Sequence, residues 1–435
     1  MDPPVIGTLV LAGMFVLIAL HVPIGVAMAL SGFVGVSVMI GWEPAAALFS
    51  IEPSSAIASE ELAVIALFLL MGNFASAAGL SSDLYRLAQA FLGHMRGGLA
   101  MATVATCAGF GAVCGSSIAT TATMTRIALP EMEKRGYSKR LSTGSVAAGS
   151  TLGIIVPPSV LLVLYAILTE EFVTALFIAA LVPAIIAIIL YLAAVLIYVA
   201  FAPSAGPVGT RFLWPEQKKV LAASWGVILL AIVVSGGIYS GIFTVNEAAA
   251  VGAAIAIAFT ALRGRLKRKV FFDTLTETAA STALIYLIII GASIFSYCIS
   301  LSRLPDIIVT WINNLGLAPL IIIFLLEVMY IILGSIFDTV AAMVITLPFV
   351  FPVITALGYD PVWWGIINVV VMEMGMITPP IGLNVFVMQG VAKNISLGTV
   401  YSGILPFLAA DIVRLVILTL FPILTLWLPQ VLEMM

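Results

Sequence analysis

Charge is what this sequence has least of. Only 9% of its 435 residues are Asp, Glu, Lys or Arg, against 62% hydrophobic, and mean hydropathy is +1.22. Soluble domains carry roughly 25% charged residues, so a large water-facing domain is excluded. Histidine is nearly absent. His21 and His94 alone make a histidine-based metal or catalytic centre a poor expectation. The three cysteines, Cys107, Cys114 and Cys298, all lie in apolar surroundings and are expected as buried thiols rather than a disulfide. Ala108 to Gly115 is glycine-rich, but no strand precedes it and no Walker lysine follows, so any uphill work must draw on an ion gradient or a partner. An intramembrane enzyme would need paired carboxylates or a Ser near a His, and Asp338 has no acidic partner at the matching place in the first half. The first twenty residues lack a basic start and a small-residue cleavage site, which predicts a retained helix.

What the chain does have is apolar stretches of about 20 residues, the length that crosses a bilayer, and a doubled set of landmarks. Gly136-Tyr137 stands 21 residues before Pro157-Pro158, and Gly358-Tyr359 stands 21 residues before Pro379-Pro380. Gly115-Ser116 precedes the first set and Gly334-Ser335 the second, while Pro183 and Pro406 follow, and Gly32 pairs with Gly252. Two similar halves in a hydrophobic chain suggest a transporter whose site forms where the repeats meet. The polar interval 202–219 reads as the linker between repeats 1–201 and 220–435.

Basic residues set the orientation. They concentrate at Arg86–Arg96, Lys134–Arg140, Arg211–Lys219 and Arg263–Lys269, all placed on the cytoplasmic side by the positive-inside rule. These clusters are orientation signals rather than a nucleic-acid surface. The arms of the segment at about 99–130 are near 15 residues each, too short to span, and both ends must face the cytoplasm. A re-entrant hairpin satisfies both conditions. Its counterpart at about 319–352 is separated from Arg263–Lys269 by one crossing, Ala279–Ser300, and therefore enters from the opposite side. The expected fold is an all-α polytopic membrane protein of two inverted repeats. Each has three helices (Val5–Leu20, Pro23–Ile40 and Ala63–Leu80 in the first half), a re-entrant hairpin and a broken helix, at about 145–168 and 364–392. Both termini fall outside, and Val5–Ile40 is either two helices or one bent at Pro23. Trp363-Trp364 and Trp427 read as interfacial anchors.

Broken backbone at membrane depth leaves polar groups that only protein, water or ions can satisfy. Four breaks are expected, at Gly111–Ser117, Gly153–Ser159, Gly334–Thr339 and Thr378–Asn384. The first hairpin tip should meet the Pro157-Pro158 break and the second tip the Pro379-Pro380 break. The candidate substrate and ion region is Gly115, Ser116, Ser117, Thr120, Pro157, Pro158, Ser159, Gly334, Ser335, Asp338, Thr339, Thr378, Pro379, Pro380 and Asn384. Free carbonyls and hydroxyls there suit Na+, with Ser116, Ser117, Asp338, Thr339 and Thr378 as candidate ligands at two sites, while half-helix N-termini favour an anion. The alternative is that the breaks are ordinary kinks, Asp338 a helix cap, and the hydroxyls bonded back to their own helices. Arg126, Glu327 and Glu373 also interrupt apolar runs, without an assigned role.

These same residues carry a family resemblance. GAVCGSSIATTATMTRIALPEMEKRGYSKRLSTGSVAAGSTLGIIVPPSVLLVLYAIL (Gly111–Leu168), LGSIFDTVAAMVITLPFVFPVITALGYDPVWWG (Leu333–Gly365) and TPPIGLNVFV (Thr378–Val387) resemble the large membrane subunit of TRAP transporters, the DctM/SiaM-like family. The resemblance implies an elevator mechanism, in which a mobile domain carries substrate and Na+ past a fixed scaffold. It implies a small four-helix membrane subunit, here a separate chain, and a periplasmic substrate-binding protein. It also implies import of an organic acid such as a C4-dicarboxylate or sialic acid across a bacterial or archaeal inner membrane. Many members carry an acid shortly after Gly-Ser-Ser, where this chain has Ala119-Thr120. The other reading is a self-sufficient ion-coupled carboxylate carrier of related architecture.

Overall fold

The computed structural model describes residues 2–432, and among these the chain is helical with no strand. Among the described residues seven helices are long and apolar enough to span a bilayer, and two bent pairs could add one span each. This is a multi-pass membrane protein.

Residues 5–40 form two helices, Pro3–Ala19 and Ile24–Ile40. His21 adopts a left-handed backbone (φ 64) and Pro23 cannot donate to a continuing helix, so the first ends there. Other boundaries move from expectation. Trp42–Ala58 is a further helix, and Ala279–Ser300 is part of a 34-residue helix, Arg268–Leu301. The polar interval 202–219 is not all linker, because Pro215 and Glu216 start a helix, Trp214–Ala223, inside it. The broken segments begin earlier, at Lys139 and Pro361, where Ser138 and Asp360 supply N-caps.

Two structural groups organise the helices. In one, Ile24–Ile40 runs along Arg268–Leu301 and Glu60–Ala78 along Val245–Leu262. Gly32 permits this closeness, since a Cβ there would stand 2.9 Å from the Phe295 backbone. In the other, each hairpin leans on its own half's broken segment: Gly98–Cys114 on Lys139–Ile155, and Pro319–Ile336 on Pro361–Gly375. The second arms then cross over. Ser117–Lys134 touches Leu383–Val391, and Thr339–Ala356 touches Val160–Thr169.

The Gly-Tyr landmarks are helix stops. Gly136 (φ 75) and Gly358 (φ 78) end the second hairpin arms. Tyr137 N–H bonds Met132 O at 3.0 Å and Tyr359 N–H bonds Ile354 O at 3.2 Å, with the bonds from Gly136 N–H to Glu133 O and from Gly358 N–H to Thr355 O, each 3.0 Å, completing a Schellman motif in each half. The basic segments gather on one face. Arg263 pairs with Asp83 and donates to Ala78 O, Gln217 donates to Ala90 O, and Tyr137 Oη donates to Pro207 O. Trp363 and Trp364 are not interfacial. Both are fully buried, Trp363 donating to Leu418 O at 3.1 Å, because the helix they open runs through the core; Trp427 is 53% exposed.

Candidate functional site

The four breaks are built from caps. Ser116 Oγ accepts from Ala119 N–H at 3.3 Å and Asp338 Oδ2 from Val340 N–H at 3.1 Å, so each opens the second arm of its hairpin. This corrects the alignment of the tips. Gly115 (φ 60) follows the end of Gly98–Cys114, whereas Gly334 and Ser335 lie inside the last turn of Pro319–Ile336. The glycine that matches Gly334 is Gly111: Gly111 packs against the Gly153 backbone and Gly334 against Gly375. Ser116 and Asp338 are the matching caps, a neutral hydroxyl in one half and a carboxylate in the other.

Each tip meets the break of its own half. Gly115 lies against Pro158 O and Val160, and Gly382 N–H donates to Ser335 O at 3.1 Å. Both Pro157-Pro158 and Pro379-Pro380 are cis. Their surroundings differ, since Pro157, Pro158 and Ser159 are buried while Pro379 and Pro380 are exposed, with Pro380 O accepting from Tyr401. Asn384 reaches the other half: its Nδ2 donates to Ser117 Oγ at 2.6 Å.

Several hydroxyls bond back to their own helices. Thr120 donates to Ser116 O at 2.7 Å, Ser335 to Ile332 O at 2.7 Å and Thr378 to Met374 O at 2.5 Å, while Ser159 caps Leu162. Back-bonding spends only the proton. The oxygen keeps lone pairs that can face a cation.

A cavity of about 600 Å³ opens where the tips face the first structural group. Gly115, Ser116, Ser117, Asp338 and Thr339 line it; Thr120, the double prolines, Ser159, Gly334, Ser335, Thr378 and Asn384 do not. Opposite stand Asn73 and Ser76 on Glu60–Ala78, and Thr274, Glu277 and Ser281 on Arg268–Leu301. These were missed from sequence, although Thr274, Glu277 and Ser281 share one helical face at i, i+3 and i+7, a legible polar stripe. Arg126 is the one cationic side chain among the described lining residues, and it makes no ion pair among the described residues. Asp338 and Glu277 are the acids. The site therefore offers hydroxyls, amides and both signs of charge in a volume suited to a small organic molecule.

Comparison with known proteins decides the family. The model of the tripartite ATP-independent periplasmic transporter, DctM component, matches residues 11–424. The chain belongs to the DctM family. This DctM-family chain is 38% identical to the C4-dicarboxylate TRAP transporter large permease protein DctM of Pseudomonas aeruginosa, over 86% of this chain and 87% of that one. It is 34% identical to the Vibrio cholerae protein of the same description, over 96% and 97%. The sialic acid TRAP transporter large permease protein SiaM of Vibrio cholerae is 28% identical over 85% and 86%. Among solved structures the chain resembles the YdaH transporter of Alcanivorax borkumensis (TM-score 0.62, 17% identity, covering 88% and 90%), a likeness of fold alone. The family is one of transporter permeases, not enzymes.

Proposed function

We propose that this chain is the large permease subunit of a Na+-driven, binding-protein-dependent TRAP transporter that imports an organic acid. The observation that carries the reading is the cavity between the hairpin tips and the polar faces of Glu60–Ala78 and Arg268–Leu301. Its two walls belong to different structural groups, so sliding one past the other would carry a bound molecule across the membrane, as an elevator requires. Asp338 and the tip hydroxyls supply hard oxygen donors for Na+, two sites in all, one per hairpin and break. Arg126 supplies the charge that holds the substrate carboxylate. The halves 1–201 and 220–435 act as inverted repeats, with both termini outside and the basic face cytoplasmic. A small four-helix subunit and a periplasmic receptor complete the inner-membrane system. C4-dicarboxylates and sialic acid are the substrate classes carried by its relatives' names.

The test is radiolabelled acid uptake into proteoliposomes holding this chain and its small partner, under an inward Na+ gradient, with and without receptor. Uptake that needs both Na+ and receptor is the expected result. Uptake with Na+ alone would make the chain a self-sufficient carrier instead, and no uptake by folded protein across a panel of acids would overturn the assignment.

A further inference from the structure

Away from the cavity, five fully buried side chains form one line of polar contacts through the fold. Thr151, Tyr191, Glu373, Asp411 and Arg414 are each 0% exposed. Arg414 Nη2 lies 2.8 Å from Glu373 Oε2 and 2.9 Å from Asp411 Oδ1. Tyr191 Oη donates to Asp411 Oδ2 at 2.6 Å and stands in contact with Thr151 Oγ1 at 3.4 Å, the Thr151 proton itself going to Ala148 O at 2.8 Å. None of the five lines the cavity.

Their chain positions repeat. Thr151 and Glu373 each precede a double proline by six residues, and Tyr191 and Arg414 follow Pro183 and Pro406 by eight. The same pair therefore recurs in each half, hydroxyl to hydroxyl in the first and guanidinium to carboxylate in the second. Asp411 has no such counterpart, because the matching residue is Ile188. It is the group that contacts both pairs.

Stability alone is a weak explanation for this cluster. Buried ion pairs are often no better than well-packed apolar residues, and among the described residues Glu373 Oε1, Asp411 Oδ1, Arg414 Nε and Arg414 Nη1 have no hydrogen-bond partner, so Asp411 Oδ1 meets Arg414 as an ion-pair contact alone. What the cluster supplies is connection. Thr151 sits in the last turns of Lys139–Ile155 and Glu373 in the last turn of Pro361–Gly375, just before each backbone break.

We propose that Asp411 is a positioning residue that joins the two breaks. Through Tyr191 and Thr151 it holds the end of Lys139–Ile155, and through Arg414 and Glu373 it holds the end of Pro361–Gly375. The backbones at 156–159 and 376–382 then move as one unit. Its consequence for transport rests on the Na+-coupled reading above: a cation bound at one break is felt at the other.

Hydrogen exchange on the purified full chain tests the link without requiring transport. Asp411→Asn is expected to speed exchange by about tenfold at the non-proline amides of both 156–159, namely Val156 and Ser159, and 376–382. Tyr191→Phe should loosen the first break alone and Glu373→Gln the second alone. Thr419 is on the same helix as Asp411, and Thr419→Val, which removes its buried hydrogen bond to Glu327 of Pro319–Ile336, should loosen neither. If Asp411→Asn loosens one break, no break, or every helix equally, the proposal is wrong. Should Asp411→Asn not fold, the one-break pattern of Tyr191→Phe and Glu373→Gln decides in its place. In proteoliposomes Asp411→Asn should also lower the Hill coefficient of Na+ activation toward one. Unmodified protein that transports without Na+ would defeat the coupling reading, whereas the exchange pattern would still decide the link.

Discussion

Asn384 Nδ2 donates to Ser117 Oγ at 2.6 Å, across 267 positions of the chain. The amide fastens the second broken segment to the first hairpin tip, next to the cavity wall. Among the described residues its own Oδ1 is buried without a partner, while Nδ2 also lies 3.4 Å from Ala147 O. Asn384→Leu should cost about 1–3 kcal/mol, because it removes the donor to Ser117 from a buried site. Thermal unfolding in detergent would read this as a lower midpoint, and Ser117→Ala should recover part of the loss when combined with it. Additive losses in the double variant would mean the contact contributes nothing.

Asp338 has two separable roles, a helix cap and a charge beside the cavity. Asparagine caps as well as aspartate, so Asp338→Asn should keep folding intact while raising the Na+ concentration for half-maximal uptake by roughly tenfold, the loss of about 1.4 kcal/mol of charge-assisted binding. Asp338→Ala should do the same and also destabilise the second arm by ~1 kcal/mol. Unchanged uptake of the Asn variant at limiting Na+ would falsify an ion-site role.

Glycine contacts make the hairpins fit. A Cβ on Gly375 would stand 2.6 Å from the Gly334 carbonyl carbon, whereas one on Gly390 would meet nothing within 4 Å. Gly375→Ala should therefore destabilise by roughly 1–3 kcal/mol or abolish folded yield. Gly390→Ala should be neutral or stabilising by about 0.5–1 kcal/mol. Size-exclusion yield and melting temperature of the two variants compare them directly, and equal tolerance would contradict the packing.

Arg126 faces the cavity without an ion pair among the described residues. Replacing it with Met should raise the KM for a carboxylate substrate by about 10–100-fold, the value of one charge-assisted hydrogen bond. Arg126→Lys should restore part of this. Transport kinetics with KM unchanged in the Met variant would assign the carboxylate to another partner.

Outside the spans, the Glu171 carboxyl is pushed above its ordinary value of 4.5, first by burial and then by the charge of Asp360. A raised carboxyl favours the protonated folded state. Its contribution to stability is therefore lost as pH climbs from about 4.5 through the folded value. Glu171→Gln should flatten that limb of the stability curve, as followed by unfolding midpoints between pH 4 and 7. An unaltered slope would show that Glu171 is solvated in the folded chain.

Local chemistry made much of this protein legible from its residues alone. Scarce charge selects the bilayer, the repeated spacing from Gly-Tyr to a double proline marks two similar halves, and Gly or Pro beside Ser, Thr or Asp marks where a helix must end. These signals are readable because each lies in composition, in a repeated spacing or in neighbours within a few positions. Tertiary structure decided the rest. Matching Gly111 with Gly334, and Ser116 with Asp338, needed backbones in contact, since the tips differ in length by one residue and the sequence landmarks favoured a shifted alignment. The buried line from Thr151 to Glu373 was invisible for a similar reason. Its members lie on four helices far apart in the chain, and a lone Glu, Asp or Arg in an apolar run has no local pattern to name its partner. Burying such charges is tolerable only once packing brings them together, so their pairing is a property of the assembled fold.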